Sequence, residues 1–284
     1  MVTRRASAAA RPPDTMAAAA ARLAALPSST HQPVSDRGAA AVLVALFPAG
    51  PDAAPHVLLT RRPGSLSSHA GEVCFPGGKC DEADGGNPAT TALREAAEEV
   101  GLEGARVARL LGTRRPLLSK HLLSVTPVLA ELSLLDGDAG SGGLAARLGL
   151  SLNRAEVDTA FAVPLSLFVD GPLPTSAGAY PTLACRPAYS HRDARFGPGG
   201  PPFRLHFFEV SPTPTLACGG GGGQGSHPHS FTVWGLTAGV LVDVAAAALG
   251  RAPVFQVGPD AAAGLDYARI AVGRDGVPGV REEA

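Results

Sequence analysis

The stretch FPGGKCDEADGGNPATTALREAAEEVGL, residues 75–102, decides how the rest of the chain is read. Gly77 and Gly78 open a loop whose backbone, free of side chains, can approach a bound group closely. Asn87 or Thr90 can cap a helix, and residues 89–100 form a helical run that stops at Gly101. On that helix Glu95, Glu98 and Glu99 stand at i, i+3 and i+4, so their carboxylates share one face. Three neighbouring anions repel one another and raise a pKa unless a cation sits among them. Hard oxygen donors of this kind imply Mg2+ or Mn2+. Arg94, beside Glu95, can pair with a carboxylate and fix its orientation. An R-E-x-x-E-E helix alone would read as a solvated face. A glycine loop, an acidic spacer, the helix and a closing V-G-L in that order make it a site.

Working outward, the chain has 284 residues, 45% hydrophobic and 17% charged, enough for one sizeable core. The net charge of -1 lacks the basic footprint of a nucleic-acid binder, so no nucleic-acid partner is expected. No window supplies the roughly 18 apolar residues that a membrane span needs, so no membrane insertion is expected either. Cys74, Cys80, Cys185 and Cys218 form no C-x-x-C pair and read as free thiols.

Residues 1–36 are Ala- and Arg-rich and nearly free of acids, the composition of a disordered leader or a transit peptide. They point to a mitochondrial address, with plastid and cytoplasm as alternatives. One α+β domain is expected over residues 37–252, with loop insertions, followed by a peripheral tail at 253–284. Strands are expected at 39–47 and 56–62 around a turn at 48–55, then at 105–115, 124–132 and 203–210. Residues 157–170 read as a strand running into a short helix, and a last helix runs from about Thr237 to Gly250.

The 75–102 segment resembles the Nudix box, G-x5-E-x7-R-E-U-x-E-E-x-G-U, where U is aliphatic. Gly78, Arg94, Glu95, Glu98, Glu99, Gly101 and Leu102 fall on its defining positions, with Ala96 at the first aliphatic site. The loop is two residues longer than the general pattern, and Asp84 stands where the first glutamate belongs, which suggests a supporting role. The resemblance implies a Nudix α/β/α sandwich around a mixed β-sheet. It also implies a metal set of Glu95, Glu98 and Glu99, with Gly77 as a further ligand. Glu98 is the first choice for activating water, Glu156 the second and Asp158 the third, with Arg94 locking the helix geometry.

The preceding segment LLTRRPGSLSSHAGEVCFPGG, residues 58–78, is similar to the extra signature of the coenzyme A pyrophosphatase branch. Leu58, Leu59, Thr60, Arg62, Leu66, His69, Gly71 and Phe75 match it, as do Pro76, Gly77 and Gly78. This implies a small-molecule substrate, coenzyme A or acyl-CoA, split into 3′,5′-ADP and (acyl-)4′-phosphopantetheine. Arg62, His69, Gly78 and Lys79 are then the substrate-binding residues. Ser67 stands where the branch has an arginine, and Arg61 is a candidate to compensate. Two other readings stay open: a different diphosphate such as NADH, or a nucleotide-binding module without turnover. The oligomeric state stays open too. Trp234 is expected to anchor the last helix, His227 and His229 to face solvent, and Tyr180, Tyr189 and Phe196 to lie in an insertion able to cover an acyl chain.

Overall fold

The computed structural model describes residues 14–27, 35–66, 69–135, 143–171, 183, 187–195, 200, 202–219, 230–258, 270–272 and 278–280. In chain order its elements begin with α1 (Met16–Ala24), β1 (Ala39–Ala49), β2 (Ala54–Arg61), β3 (Val73–Cys74), β4 (Gly77–Lys79) and α2 (Pro88–Val100). Next come β5 (Val107–Thr113), β6 (Leu117–Leu118), β7 (Ser124–Leu132), α3 (Leu144–Leu148), β8 (Thr159–Pro164) and α4 (Leu167–Asp170). The rest are β9 (Ala188–Arg195), β10 (Pro202–Val210), β11 (Ala217–Gly219), β12 (Phe231–Trp234), α5 (Gly235–Leu249), β13 (Ile270–Val272) and β14 (Pro278–Val280).

The main sheet runs β11-β8-β2-β1-β7-β5, with β3, β4 and β6 paired at its margins. β1 and β7 are parallel and the other pairs antiparallel, so the sheet is mixed. β1 is apolar almost without interruption because both of its faces are covered. Successive side chains point to opposite faces. Val44, Leu46, Val57 and Leu59 meet α1, α4 and α5, whereas Leu43, Ala45, Phe47 and Leu58 meet α2 and α3. The expected α/β/α sandwich is present. The turn expected over 48–55 is shorter, since β1 and β2 pair out to Ala49 and Ala54.

A second sheet, β12-β10-β9, joins the strand expected at 203–210 to β12 and to β9, the one of its strands that lies in a stretch expected to be an insertion. His206, Phe208 and Val210 are buried on its inner face, while Leu205, Phe207 and Glu209 are only half-buried on its outer one. Tyr189 does not form a lid. Its ring stacks on Phe255 at 4.5 Å and its hydroxyl bonds His206 Nδ1 at 2.9 Å. Phe255 belongs to the expected tail, which is therefore not peripheral at its start. Val254 N donates to Val169 O at 2.8 Å, and Arg204 donates to Gln256 O at 3.2 Å.

The leader also needs correcting where it is described. Thr15 caps α1, and Met16, Ala19, Ala20 and Leu23 are buried, where α1 packs on α5. The alanines that suggested disorder let the two helices approach closely. Arg22 Nη1 donates to Ala248 O at 3.0 Å, satisfying a carbonyl at the end of α5. Leu23, 1% exposed, makes this testable: Leu23→Ala should cost about 2–4 kcal/mol in urea unfolding. A cost within error would mean that α1 is expendable.

Candidate active site

α2 is set by its ends. Asn87 Oδ1 accepts from Ala89 N at 3.0 Å, so Asn87 rather than Thr90 is the cap, and Pro88 takes the first turn. Gly101 closes the helix at φ 66°, a left-handed conformation that suits glycine. Ala92, Ala96 and Val100 are buried against the sheet, which turns the three glutamates along β4. Gly77 and Gly78, expected to open a loop, therefore lie in a short strand paired with β1.

The glutamates differ in surroundings. Glu99 is 2% exposed, its Oε2 accepts from Gly77 N at 3.2 Å, and its Oε1 lies 3.8 Å from Arg62 Nη1. Burial pushes its carboxyl up to about 7, with the charges of Glu95 and Glu156 adding to the effect and Gly77 and Arg62 opposing it. Glu95 is raised too, chiefly by burial and further by Glu98 and Glu156, against its bond from Arg94. Glu98 is exposed and accepts from Arg94 Nη1 at 3.2 Å.

Arg94 is the hub. Nε and Nη2 grip Asp84 bidentately at 3.0 Å each, Nη1 donates to Glu95 Oε1 at 3.0 Å, and Nη2 donates to Lys79 O at 3.2 Å. Asp84 is buried and also accepts from Thr91 Oγ1 at 2.8 Å and Asp81 N at 2.9 Å. Arg94 foremost, then Asp81, holds its carboxyl well below the usual carboxylate range. The short aspartate thus anchors the arginine.

The two glycines are required by contact. A Cβ on Gly77 would stand 2.4 Å from Ala41 O, and one on Gly78 would stand 2.4 Å from the Glu95 carboxyl carbon. Gly78→Ala should therefore displace Glu95 and lower turnover roughly a hundredfold while the Tm barely moves. Activity near that of the parent protein would show that Glu95 can move aside without consequence.

A hard divalent cation fits this donor set. Glu95 and Glu99 are both destabilised as anions by burial and by neighbouring carboxylates, Glu98 and Glu156 for Glu95, Glu95 and Glu156 for Glu99, which a bound cation would relieve. Glu98 is turned toward Arg94, so among the described residues no three His, Cys, Asp or Glu side chains already form a closed cage.

The other candidates divide. Arg62 stands beside Glu99 and bonds Glu72 O through its backbone at 3.0 Å. His69, at φ 55°, bonds Glu72 through Nδ1 and lies 3.0 Å from His121 Nε2 through Nε2. Lys120 Nζ pairs with Glu72 at 3.1 Å. Lys79 is exposed. Glu156 is half-buried on a segment docked to the end of α2, where Asn153 N donates to Glu99 O at 2.9 Å. Arg61 and Asp158 pair at 2.7 Å, so Asp158 is a poor base and Arg61 a poor stand-in at position 67. Ser67, Tyr180, Phe196, His227 and His229 lie outside the described residues. Sequence reasoning missed Thr91, although it precedes Arg94 by three and shares its helix face. It also missed Glu72, Lys120 and His121.

Residues 37–163 match the NUDIX domain family. The chain carries a NUDIX domain. This NUDIX domain takes in all of the main sheet except β11 and the last residue of β8, whereas the second sheet and α5 lie beyond it. "Nudix hydrolase 15, mitochondrial" of Arabidopsis thaliana is 31% identical over 216 residues, 76% of this chain and 60% of that protein. "Mitochondrial coenzyme A diphosphatase NUDT8" of Homo sapiens is 39% identical over 152 residues, 53% of this chain and 54% of that protein. An "Uncharacterized Nudix hydrolase NudL" of Photorhabdus laumondii is 45% identical over 112 residues, 39% of this chain and 52% of that protein. The chain thus spans only about half to three-fifths of these relatives' lengths.

Proposed function

We propose that the chain is a Mg2+- or Mn2+-dependent hydrolase that cleaves the diphosphate of coenzyme A or acyl-CoA. The products are 3′,5′-ADP and (acyl-)4′-phosphopantetheine. The observation that carries this reading is the placement of residues 58–66 and 69–78. β2 ends next to Arg62, which stands beside Glu99, and the segment after His69 runs into β4, whose Gly77 amide bonds Glu99. The human relative named a coenzyme A diphosphatase supports the same substrate.

Glu95 and Glu99 would hold the metal, with Gly77 and, once it releases Arg94, Glu98. A bound divalent cation neutralises diphosphate oxygens and makes water a stronger nucleophile. Arg62 places a fixed positive charge at the rim, 3.8 Å from Glu99, and Lys79 adds an exposed cation at the end of β4. Glu98 is the first candidate to take the proton from water, because it is exposed on the carboxylate face of α2 and held there by Arg94. Glu156 is the second. Arg94 orients Glu95 and Glu98 through one guanidinium. Relatives named mitochondrial and chloroplastic support an organellar address, and we favour the mitochondrion.

Chromatography of products after incubation with coenzyme A and Mg2+ or Mn2+ tests this. Appearance of 3′,5′-ADP and 4′-phosphopantetheine is expected. Cleavage of NADH but not coenzyme A would replace the substrate. Inertness toward every diphosphate, in a protein stabilised by nucleotides, would make it a binding module.

A further inference from the structure

A cleft of about 550 Å³ lies between the outer face of the second sheet and the 70–73 loop. It is of a size that holds small ligands. Arg192, Phe207 and Trp234 are among the residues from outside the NUDIX domain that line it. Their placement follows from strand register. Phe207 pairs with Trp234, and Arg192 pairs with Leu205, two residues before Phe207, so all three stand on one face. That is the half-buried face of β10, opposite the buried His206 and Phe208. The Phe207 and Trp234 rings are stacked, parallel within 4° with centroids 5.9 Å apart, and give the cleft an apolar aromatic side. Trp234 therefore caps α5 from a cleft and does not anchor it in the core.

We propose that this cleft binds the nucleotide half of the substrate. Its purine stacks on Trp234 and Phe207, and its 3′-phosphate meets Arg192. The proposal rests on the coenzyme A reading and names where that site holds the part of the substrate that does not react. Aromatic walls suit any base, because every base has a π-face, and a guanidinium matches phosphate geometry. Among the described lining residues the carboxylate is Glu72, whose charge is offset by Lys120 and His69. The location also suits the reaction. Arg61 lines the cleft while Arg62, the next residue, stands beside Glu99, so cleft and carboxylates flank one strand end. In coenzyme A the ribose joins base and diphosphate directly, which requires neighbouring binding surfaces of this kind.

Trp234 is the chain's one tryptophan, so its emission reports on the cleft without turnover. The full chain in EDTA, titrated with 3′,5′-ADP, should show saturable quenching, with 5′-AMP binding more weakly. Arg192→Ala should weaken 3′,5′-ADP roughly tenfold. In turnover it should raise KM for coenzyme A by a similar factor and leave kcat within about twofold. Trp234→Ala should also raise KM roughly tenfold, whereas Trp234→Phe, which keeps a ring on the wall, should restore it. Absence of quenching by 3′,5′-ADP at concentrations that inhibit coenzyme A cleavage would overturn the cleft and leave the reaction standing. Quenching by 4′-phosphopantetheine instead would overturn it in favour of the other half. Quenching by 3′,5′-ADP in a protein that never cleaves coenzyme A would keep the cleft and remove the substrate.

Discussion

Glu99→Gln should leave a folded protein whose turnover of coenzyme A falls roughly a hundred- to a thousandfold, and whose metal-free form is more stable than the parent protein. The two effects have one cause. Glu99 is buried with a single backbone donor, Gly77, and an arginine at 3.8 Å, too long for a strong ion pair. Such a carboxylate suits a cation and is costly without one. An amide of the same shape can keep the Gly77 bond, loses the charge and cannot replace a carboxylate as a metal ligand. Activity assays and thermal melts in EDTA at pH 8 check both halves. A lower Tm with retained activity would make Glu99 a structural acid and remove it from the metal set.

The pH dependence carries the same information with a definite sign. The carboxyl of Glu99 rises from 4.5 in the unfolded chain to about 7 in the fold. Its contribution to stability is complete below about pH 4.5 and is lost as pH rises through 7, by roughly 3 kcal/mol for the metal-free protein. Asp84, Glu72 and Asp193 are shifted downward and act in the opposite direction, so wild type alone gives a mixed curve. The difference between wild type and Glu99→Gln isolates the term. It should grow from pH 5 to pH 8 in urea unfolding with EDTA, and a flat difference would refute the assigned burial cost.

What was legible in the sequence was local or periodic. The i, i+3, i+4 glutamates and the Gly101 stop depend on helical spacing alone, and α2 follows them. The supporting role of Asp84 was readable because a short acid cannot reach far, and its partner Arg94 lies ten residues away. The sheet was readable as apolar runs. Contacts between distant segments were not. His69 meets His121 across 52 residues, Arg22 meets Ala248 across 226, and nothing in either neighbourhood announces the other. α1 was hidden by composition, because alanines broken by arginine suit a leader as well as a helix that packs closely on another. β9 was hidden by its polarity. Its pattern is almost wholly exposed, so alternation had no buried side to mark it.

Arg94 concentrates so many constraints that its replacement should be felt in both stability and turnover. One guanidinium holds Asp84 bidentately and reaches Glu95, Glu98 and the Lys79 carbonyl. Arg94→Ala leaves buried Asp84 with only Thr91 and the Asp81 amide, and the Tm should fall by roughly 5–10 °C. Glu95 and Glu98 lose their common anchor, and kcat should fall roughly a hundredfold. Arg94→Lys guards against the case in which the alanine variant does not fold. A lysine keeps the charge but cannot span Asp84 with two parallel donors while also reaching Glu95. Its Tm should recover most of the loss, and kcat should remain at least roughly tenfold down, because geometry and not charge is what it lacks. The pair of variants therefore separates the two duties. Recovery of both by lysine would show that Arg94 acts as a counter-charge only, and the case for it as the part that orients Glu95 and Glu98 would fail.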